Sequence, residues 1–410
     1  GFTSLVFFLG NCDATESFML FCPSGNSTWQ ISGRNSGSLE GYRNLTFSDF
    51  GNIVSRGSNA TVEFNNSAAQ IVESIDSGNG NLTLVGDRIH LSNIVSGNGD
   101  FVLQPSTPDT PIVLGGDNVP GTLHLSDVDL AAITSNAFSS ITFGNASSGP
   151  LSLGATELNS VAPLNFRSGS TINTAAGQIS TVNQSALSLL APDGITAGYL
   201  TTDGGNISLG SENNISAMAI SAQNGTNSGN ITVDTDQFFA VTGYLDGDTN
   251  KPSIATGADS QISIRHGGNG TVPFTIGSAS LNGTAGRITN DTVAVNNRVL
   301  FDDFIDPEGV AIQTNAPPVV PPTEATYELT TQVVSIIRGL GAGIQTSNDL
   351  SASLTNTEAK ASREIFSRIE AAAGAQFEQF LSLDASAKPT QVATLEQVQE
   401  TLKRPQTQLS

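Results

Sequence analysis

The phrase Gly-Asn-aliphatic-Ser/Thr-aliphatic returns along the chain, most plainly as Gly80-Asn81-Leu82-Thr83-Leu84, Gly205-Asn206-Ile207-Ser208-Leu209 and Gly229-Asn230-Ile231-Thr232-Val233. A short repeat constrains architecture before any single residue does, because one copy cannot bury its own apolar face and must stack on its neighbours. Looser copies are Asn44-Leu45-Thr46-Phe47, Ser140-Ile141-Thr142-Phe143, Gly177-Gln178-Ile179-Ser180-Thr181-Val182 and Gln261-Ile262-Ser263-Ile264. Each sets two apolar side chains on one face of a short strand with a small polar residue between them on the other. One stretch displays its register. Ser77-Gly78-Asn79-Gly80 with Leu82 and Leu84 recurs as Ser96-Gly97-Asn98-Gly99 with Phe101 and Leu103, a shift of 19 residues. Short strands joined by Gly/Asn/Ser turns at that spacing predict a mainly β chain wound as a parallel β-helix.

Composition fits such a solenoid. There are 42 Gly, 37 acidic residues against 16 basic, 6% aromatics and 38% apolar residues. Each coil of a solenoid supplies only a few inward side chains, so a modest apolar fraction fills a narrow continuous core. At about 1.5–3 kcal/mol per buried aliphatic the stack outweighs chain entropy only through many neighbours. A net charge of -21 excludes nucleic acid as a partner, for want of a basic patch that would release counterions. It suits a soluble secreted surface. The longest apolar run, Leu5-Val6-Phe7-Phe8-Leu9, is too short to span a bilayer and lacks the basic flank of a signal peptide. The chain is therefore expected not to be membrane-spanning, and its start, which is not a Met, is read as a processing or fragment boundary. Cys12 and Cys22 either close one local disulfide loop or are two incidental buried thiols.

Residues 316 to 322, Ala-Pro-Pro-Val-Val-Pro-Pro, mark a change of character. Only Gly339, Gly341, Gly343 and Gly374 lie beyond them, together with 7 of the 16 basic residues. Helices are expected at about 326–340, again after the capping box Thr355-Asn356-Thr357-Glu358, and at about 394–403. The second would align Ala361, Ile365, Ile369, Ala373, Phe377, Phe380 and Leu381. The expected organisation is an irregular N-terminal cap or fragment edge over 1–40, which holds Phe2, Phe7, Phe8, Phe18, Phe21 and Trp29. The parallel β-helix follows over 41–315, then a Pro-rich linker over 316–323 and an α-helical segment over 324–410.

The stretch Gln261-Ile262-Ser263-Ile264-Arg265-His266-Gly267-Gly268-Asn269-Gly270, with Pro273-Phe274-Thr275-Ile276-Gly277 and Leu281-Asn282-Gly283-Thr284-Ala285-Gly286, resembles the last coils of cyanobacterial filamentous-haemagglutinin-like surface proteins. The resemblance extends over about residues 40 to 404. It implies a right-handed β-helix, export by two-partner secretion through an outer-membrane transporter, and residence at or release from the outer-membrane surface. It also implies adhesin-like contact with surface glycans or other cell-surface proteins. Many such proteins continue through a Pro-rich hinge and helices into a caspase-like CHAT peptidase. On that resemblance this chain is expected to lack the secretion domain and to stop where a peptidase would begin.

Candidate chemistry is sparse. His266-Gly267 has the form of a caspase-like His-Gly pair, yet both cysteines lie about 250 residues upstream, so a Gly-rich turn explains this His better. His90 and His124 have no Cys or Glu at ligand spacing, so no metal site is expected. Asp127 with Asp129, and Asp234 with Asp236, are spaced by two and are expected to share strand faces. They are the candidates for a carbohydrate-active β-helix enzyme, provided they converge with an Arg in one cleft. Lys251 is the only Lys before the linker, which leaves a lyase short of a base. Gly267-Gly268-Asn269-Gly270 lacks the Asp of a calcium nonapeptide at Val272. Asp302, Asp303, Asp306 and Glu308 lack EF-hand spacing and read as a solvated loop. Gly339-Leu340-Gly341-Ala342-Gly343 reads as a helix stop rather than a nucleotide loop. Asn-x-Ser/Thr triplets at Asn26, Asn44, Asn59, Asn81, Asn145, Asn206, Asn230, Asn269 and Asn290 follow from the repeat phrase and read as stacked structural side chains; in a eukaryotic secretory protein they would accept glycans. The expectation is an exported, non-enzymatic stalk or adhesive module without cofactor, catalytic residue or metal. The alternative is the stalk or sensor of a larger CHAT peptidase.

Overall fold

The computed structural model describes residues 19–21 and 25–314, with gaps at 41–44, 49–50, 56–58, 67–68, 70–73, 90, 92–93, 135–137, 269–271 and 279–280. The linker 316–323, the helices expected within 324–410, Gly339 to Gly343, Cys12, Cys22, His90, Asn44, Asn269 and the aromatics Phe2, Phe7, Phe8 and Phe18 lie outside the described residues. The chain divides into two units at Pro317 and Pro318, and the described residues belong to the first.

Its main element is a 14-stranded sheet. Eleven of its strands run parallel, from Ser27–Gly33 through Ala60–Phe64, Leu82–Val85 and their successors to Val310–Thr314. Two inward columns stack along it. One carries Leu82, Phe101, Ile141, Leu164, Leu187, Ile207, Ile231, Ile262 and Val310 in register, and the other carries Leu84, Leu103, Phe143, Phe166, Leu189, Leu209, Val233, Ile264 and Ile312. All of these side chains are buried. The 19-residue shift is one step of this ladder, since Phe101 pairs with Leu82 and Leu103 with Leu84. The solenoid-like stack already includes Ser27–Gly33, inside the stretch set apart as 1–40; Trp29 faces inward there opposite Val62.

A 15-stranded sheet and a four-stranded sheet form the other sides. Strand Ile172–Thr181 pairs with Leu151–Leu153 through its first residues and with Glu157–Ser160 through its last, so one strand turns a corner and serves two sides. Its pairing with Ile195–Thr202 shifts register between Thr174 and Gln178, at that corner. Inward hydroxyls tie the next corner together. Thr181 Oγ1 donates to the Ser185 carbonyl, Thr202 Oγ1 to that of Gly205 and Thr256 Oγ1 to that of Gly229, each at 2.5 Å. Both edges of the long sheet are formed by antiparallel strands, Ser36–Leu39 with Leu45–Phe47 at one end and Phe304–Asp306 at the other. This arrangement keeps the parallel ladder itself off the exposed edge.

The repeat phrase has a physical reason at each position. A Cβ at Gly99 would lie 2.4 Å from the Gly80 carbonyl oxygen, and one at Gly229 2.3 Å from that of Gly205, so successive turns approach backbone to backbone. The following Asn serves the next coil. Asn59 Oδ1 accepts the Asn81 N–H at 3.1 Å, Asn81 Oδ1 that of Asp100 at 2.9 Å, Asn206 Oδ1 that of Asn230 and Asn230 Oδ1 that of Gln261, both at 2.8 Å. Asn98 Nδ2 donates to Asn79 Oδ1 at 2.9 Å in the 19-residue repeat. Asn290 is fully buried, and its Nδ2 donates to the Ser260 and Glu308 carbonyls. Asn59, Asn81, Asn206, Asn230 and Asn290 are thus engaged in the stack. Because the Gln261 N–H is solvent-accessible, water compensates in part for a lost partner, and Asn230→Ala is expected to cost about 1 kcal/mol. Asn230→Asp, which keeps the acceptor, is expected to cost less; equal urea midpoints for the wild type and Asn230→Ala would refute the ladder's contribution.

One element departs from the expected strand pattern. Asp127 and Asp129 do not share a strand face but open an α-helix, Asp127–Thr134. Ser126 precedes the helix, and Asp129 Oδ2 accepts both its N–H (2.9 Å) and its Oγ–H (2.6 Å), while the Asp129 N–H reaches Ser126 Oγ at 3.3 Å. This reciprocal N-cap overrides the spacing of two. Two acidic residues in the first turn also complement the helix dipole. Leu130 and Ile133 point into the core. The helix packs between Ile94–Ser96 and Glu157–Ser160, where neighbouring coils place a strand.

Candidate functional site

Repeat register brings together residues that are far apart in the chain. Arg167 pairs with Leu190, Leu190 with Gly210, Gly210 with Asp234 and Asp234 with Arg265, so five successive coils contribute one outward column. Each of these residues lies three positions after the first inward aliphatic of its strand. Two residues further along, Gly169, Pro192, Glu212, Asp236 and Gly267 leave the strands. Arg167, Leu190, Pro192, Gly210, Glu212, Asp234, Asp236 and Arg265 line a shallow groove of ≈ 440 Å³.

Its relief follows from residue size. Gly210 has no side chain, and Leu190, 47% exposed, leans across the gap until its Cδ1 lies 2.9 Å from where a Cβ at Gly210 would stand. Pro192 adds apolar floor. Arg265 Nη1 lies 3.4 Å from Asp234 Oδ2, and both side chains are about half exposed. Such a surface pair adds little stability but presents a planar donor and a planar acceptor side by side. The Arg167 side chain makes neither an ion pair nor a hydrogen bond among the described residues. With Glu212 and Asp236 the groove carries two guanidinium and three carboxylate groups.

The sequence candidates thus separate. Asp234 and Asp236 come together with Arg167 and Arg265, the convergence a carbohydrate site was expected to need. Asp127 and Asp129 lie elsewhere; Asp129 borders a second groove of ≈ 450 Å³ with Arg88, Asn118, Thr122 and His124. There Asp129 is committed to the helix cap, and the His124 ring nitrogen Nε2 lies 3.2 Å from the Gly116 carbonyl. Lys251 pairs with Asp246, whose hydrogen bond and charge hold the ammonium above the ordinary lysine range. Asp303 Oδ1 accepts the Thr314 N–H at 2.8 Å and Asp306 Oδ1 that of Glu308 at 2.9 Å, so two members of the acidic cluster shape the closing hairpin. Among the described residues no group of three or more His, Cys, Asp or Glu side chains is placed to hold a metal.

His266 is the inward last residue of strand Ile262–His266 and only 2% exposed, so it ends a strand rather than lying in the Gly-rich turn. Its Nδ1 accepts from the Gly268 N–H and lies at the same 3.2 Å from Asn282 Nδ2, and its ring packs 5.0 Å from that of Phe274. Gly267 is demanded by packing, since a Cβ there would lie 1.7 Å from the Asp236 carbonyl oxygen. Burial pushes the imidazole down to about 4, against the opposing charge of Asp303. The fold therefore holds the neutral ring, while the unfolded chain protonates near 6.5. Stability from this group is complete above about pH 6.5 and is lost as the pH falls towards 4, at most about 3 kcal/mol. Urea midpoints for the wild type should fall between pH 7 and pH 4.5 more steeply than for His266→Gln; parallel slopes would reject this assignment.

Arg167, Glu212 and Arg265 escape notice when the sequence is scanned for motifs. Their signal is positional and becomes visible when the strands Leu164-Asn165-Phe166-Arg167, Ile231-Thr232-Val233-Asp234 and Ile262-Ser263-Ile264-Arg265 are written under one another. No protein-family model matches the chain, and neither a curated protein nor a solved structure does.

Proposed function

We propose that the chain is an exported, non-enzymatic surface module: a right-handed β-solenoid of the filamentous-haemagglutinin type that works as an adhesin-like stalk with shallow binding along its outward strand faces. The observation that carries this reading is the eleven-strand parallel ladder with its two unbroken inward columns. Ten steps at about 4.8 Å make a stiff stack of about 48 Å. The backbone groups of the ladder strands are taken up by pairing with their neighbours, so the recognition surface is assigned to the outward strand faces. Right-handed winding is the hand that parallel crossover connections take. The acidic balance favours a soluble, self-repelling exterior, and two-partner export to the extracellular or outer-membrane surface is the route that the family resemblance implies.

The test is threefold. Far-UV circular dichroism of the purified chain should show a dominant β signal, and protease treatment of intact cells of its native host should remove it. Incubation with polysaccharides should release no new reducing ends. A mainly helical spectrum, protection inside intact cells, or sustained turnover would each overturn the reading. Turnover would favour a second one, a polysaccharide-acting enzyme, for which the meeting of Asp234 and Asp236 with two arginines in one groove is the specific support.

A further inference from the structure

We propose that the groove running from Arg167 to Arg265 binds an extended neutral glycan laid along the solenoid axis, one sugar unit to each coil. The inference deepens the reading of the chain as a binding module and names the ligand of that surface.

Three features carry it. The first is spacing. The five coils of the outward column are separated by four steps of about 4.8 Å, giving about 19 Å between the Arg167 and Arg265 backbones. That step is close to the advance of one hexose along an extended chain, so a repeating ligand meets a repeating surface in phase. A peptide strand is a poorer match, because it binds sheets by adding to a free edge. Here the backbone groups on both sides of the groove strands are already used within the parallel ladder.

The second is the pairing of planar polar groups with an apolar floor. Neighbouring hydroxyls of a sugar each donate and accept, and carboxylates and guanidinium groups meet two at a time with little loss of rotamer freedom. Arg167 and the Asp234–Arg265 pair supply such groups at the two ends of the column, with Glu212 and Asp236 alongside. Between them Leu190 lies over Gly210, a half-exposed apolar surface at the level where the C–H face of a pyranose would rest.

The third is charge. Two arginines face three carboxylates in the groove, on a chain of net charge -21. Uronate, sulfated and phosphorylated polymers meet net repulsion, and no metal-holding cluster among the described residues bridges their anions. A neutral glycan carries no such penalty.

The experiment is isothermal titration of the full chain with neutral linear hexose oligomers of two to eight units, with oligogalacturonate as the charged comparison. Affinity should rise with length to about five units, the number of coils in the column, and then level off. Arg167→Ala removes an exposed, unpaired side chain. Gly210→Gln fills the depression by displacing only the flexible end of Leu190. Each is expected to weaken Kd at least 10-fold while leaving the melting temperature unchanged, whereas Gln104→Ala, on the same face but outside the groove, should leave Kd unchanged. Should Gly210→Gln melt early, Glu212→Gln serves as the second groove variant. Binding by none of the neutral oligomers, tighter binding of oligogalacturonate, or Kd values indifferent to both groove variants would overturn the proposal. Binding accompanied by cleavage would sustain the groove and reject the non-enzymatic reading; a protease-accessible surface protein that neither cleaves nor binds a neutral oligomer would do the reverse.

Discussion

Gly229→Val is expected to lower stability by about 3 kcal/mol or more and to broaden the unfolding transition, although it adds only an aliphatic side chain beside an aliphatic strand. A Cβ at this position would stand 2.3 Å from the Gly205 carbonyl oxygen and 2.4 Å from its carbon, both backbone atoms. Neither is able to retreat, because the strands that follow are locked by the pairing of Ile207 with Ile231 and of Leu209 with Val233. A Cβ at Gly205 would likewise stand 2.0 Å from the Ser185 carbonyl oxygen, so movement of one turn is passed to the next. Thermal melting followed by far-UV circular dichroism reads this directly. A Gly229→Val protein that melts with the wild type would mean that the turns do not stack as closely as described.

The second large effect is expected from Phe166→Ala. Phe166 is 1% exposed and packs on Phe143 with ring centroids 5.6 Å apart, with Leu189 in register on the other side. Truncating a buried phenylalanine removes its transfer free energy and leaves a cavity, together about 3–5 kcal/mol. In a solenoid each coil is supported only by its two neighbours, so the loss should not be shared evenly. Hydrogen exchange should show protection falling first in Ser140–Phe143, Leu164–Arg167 and Leu187–Leu190, while Ser27–Gly33 and Val310–Thr314 hold theirs longer. Uniform loss of protection along the ladder would indicate that the stack unfolds as a single unit.

The clearest repeats translate residue for residue into structure: Ile207-Ser208-Leu209 lies directly beside Ile231-Thr232-Val233, and the 19-residue shift is a real ladder step. The looser ones do not all extend that parallel ladder. Ile179 sits on another side of the coil, and Leu45-Thr46-Phe47 is an antiparallel edge strand. Alternation of apolar and polar residues says that a segment is a half-buried strand; it carries no information about which side of the coil the strand occupies. That is decided by turn length and by where a strand bends, as Ile172–Thr181 does between Thr174 and Gln178. Asp127 and Asp129 show the opposite confusion. Their spacing of two imitates a strand, whereas Ser126 and Asp129, spaced by three, carry the helix signal in the same four residues.

The groove marks the same division at the level of function. Residue identity and local spacing are enough to determine a repeating β chain, its buried aliphatic columns and the glycine and asparagine of each turn, because all of these act within one coil or between a coil and the next. Asp234 and Asp236 also stand out locally as neighbouring carboxylates. Their company was decided by tertiary structure alone. Arg167 and Arg265 are separated from them by strands of unequal coil length, and only backbone hydrogen bonding in register sets Arg167, Leu190, Gly210, Asp234 and Arg265 in one line.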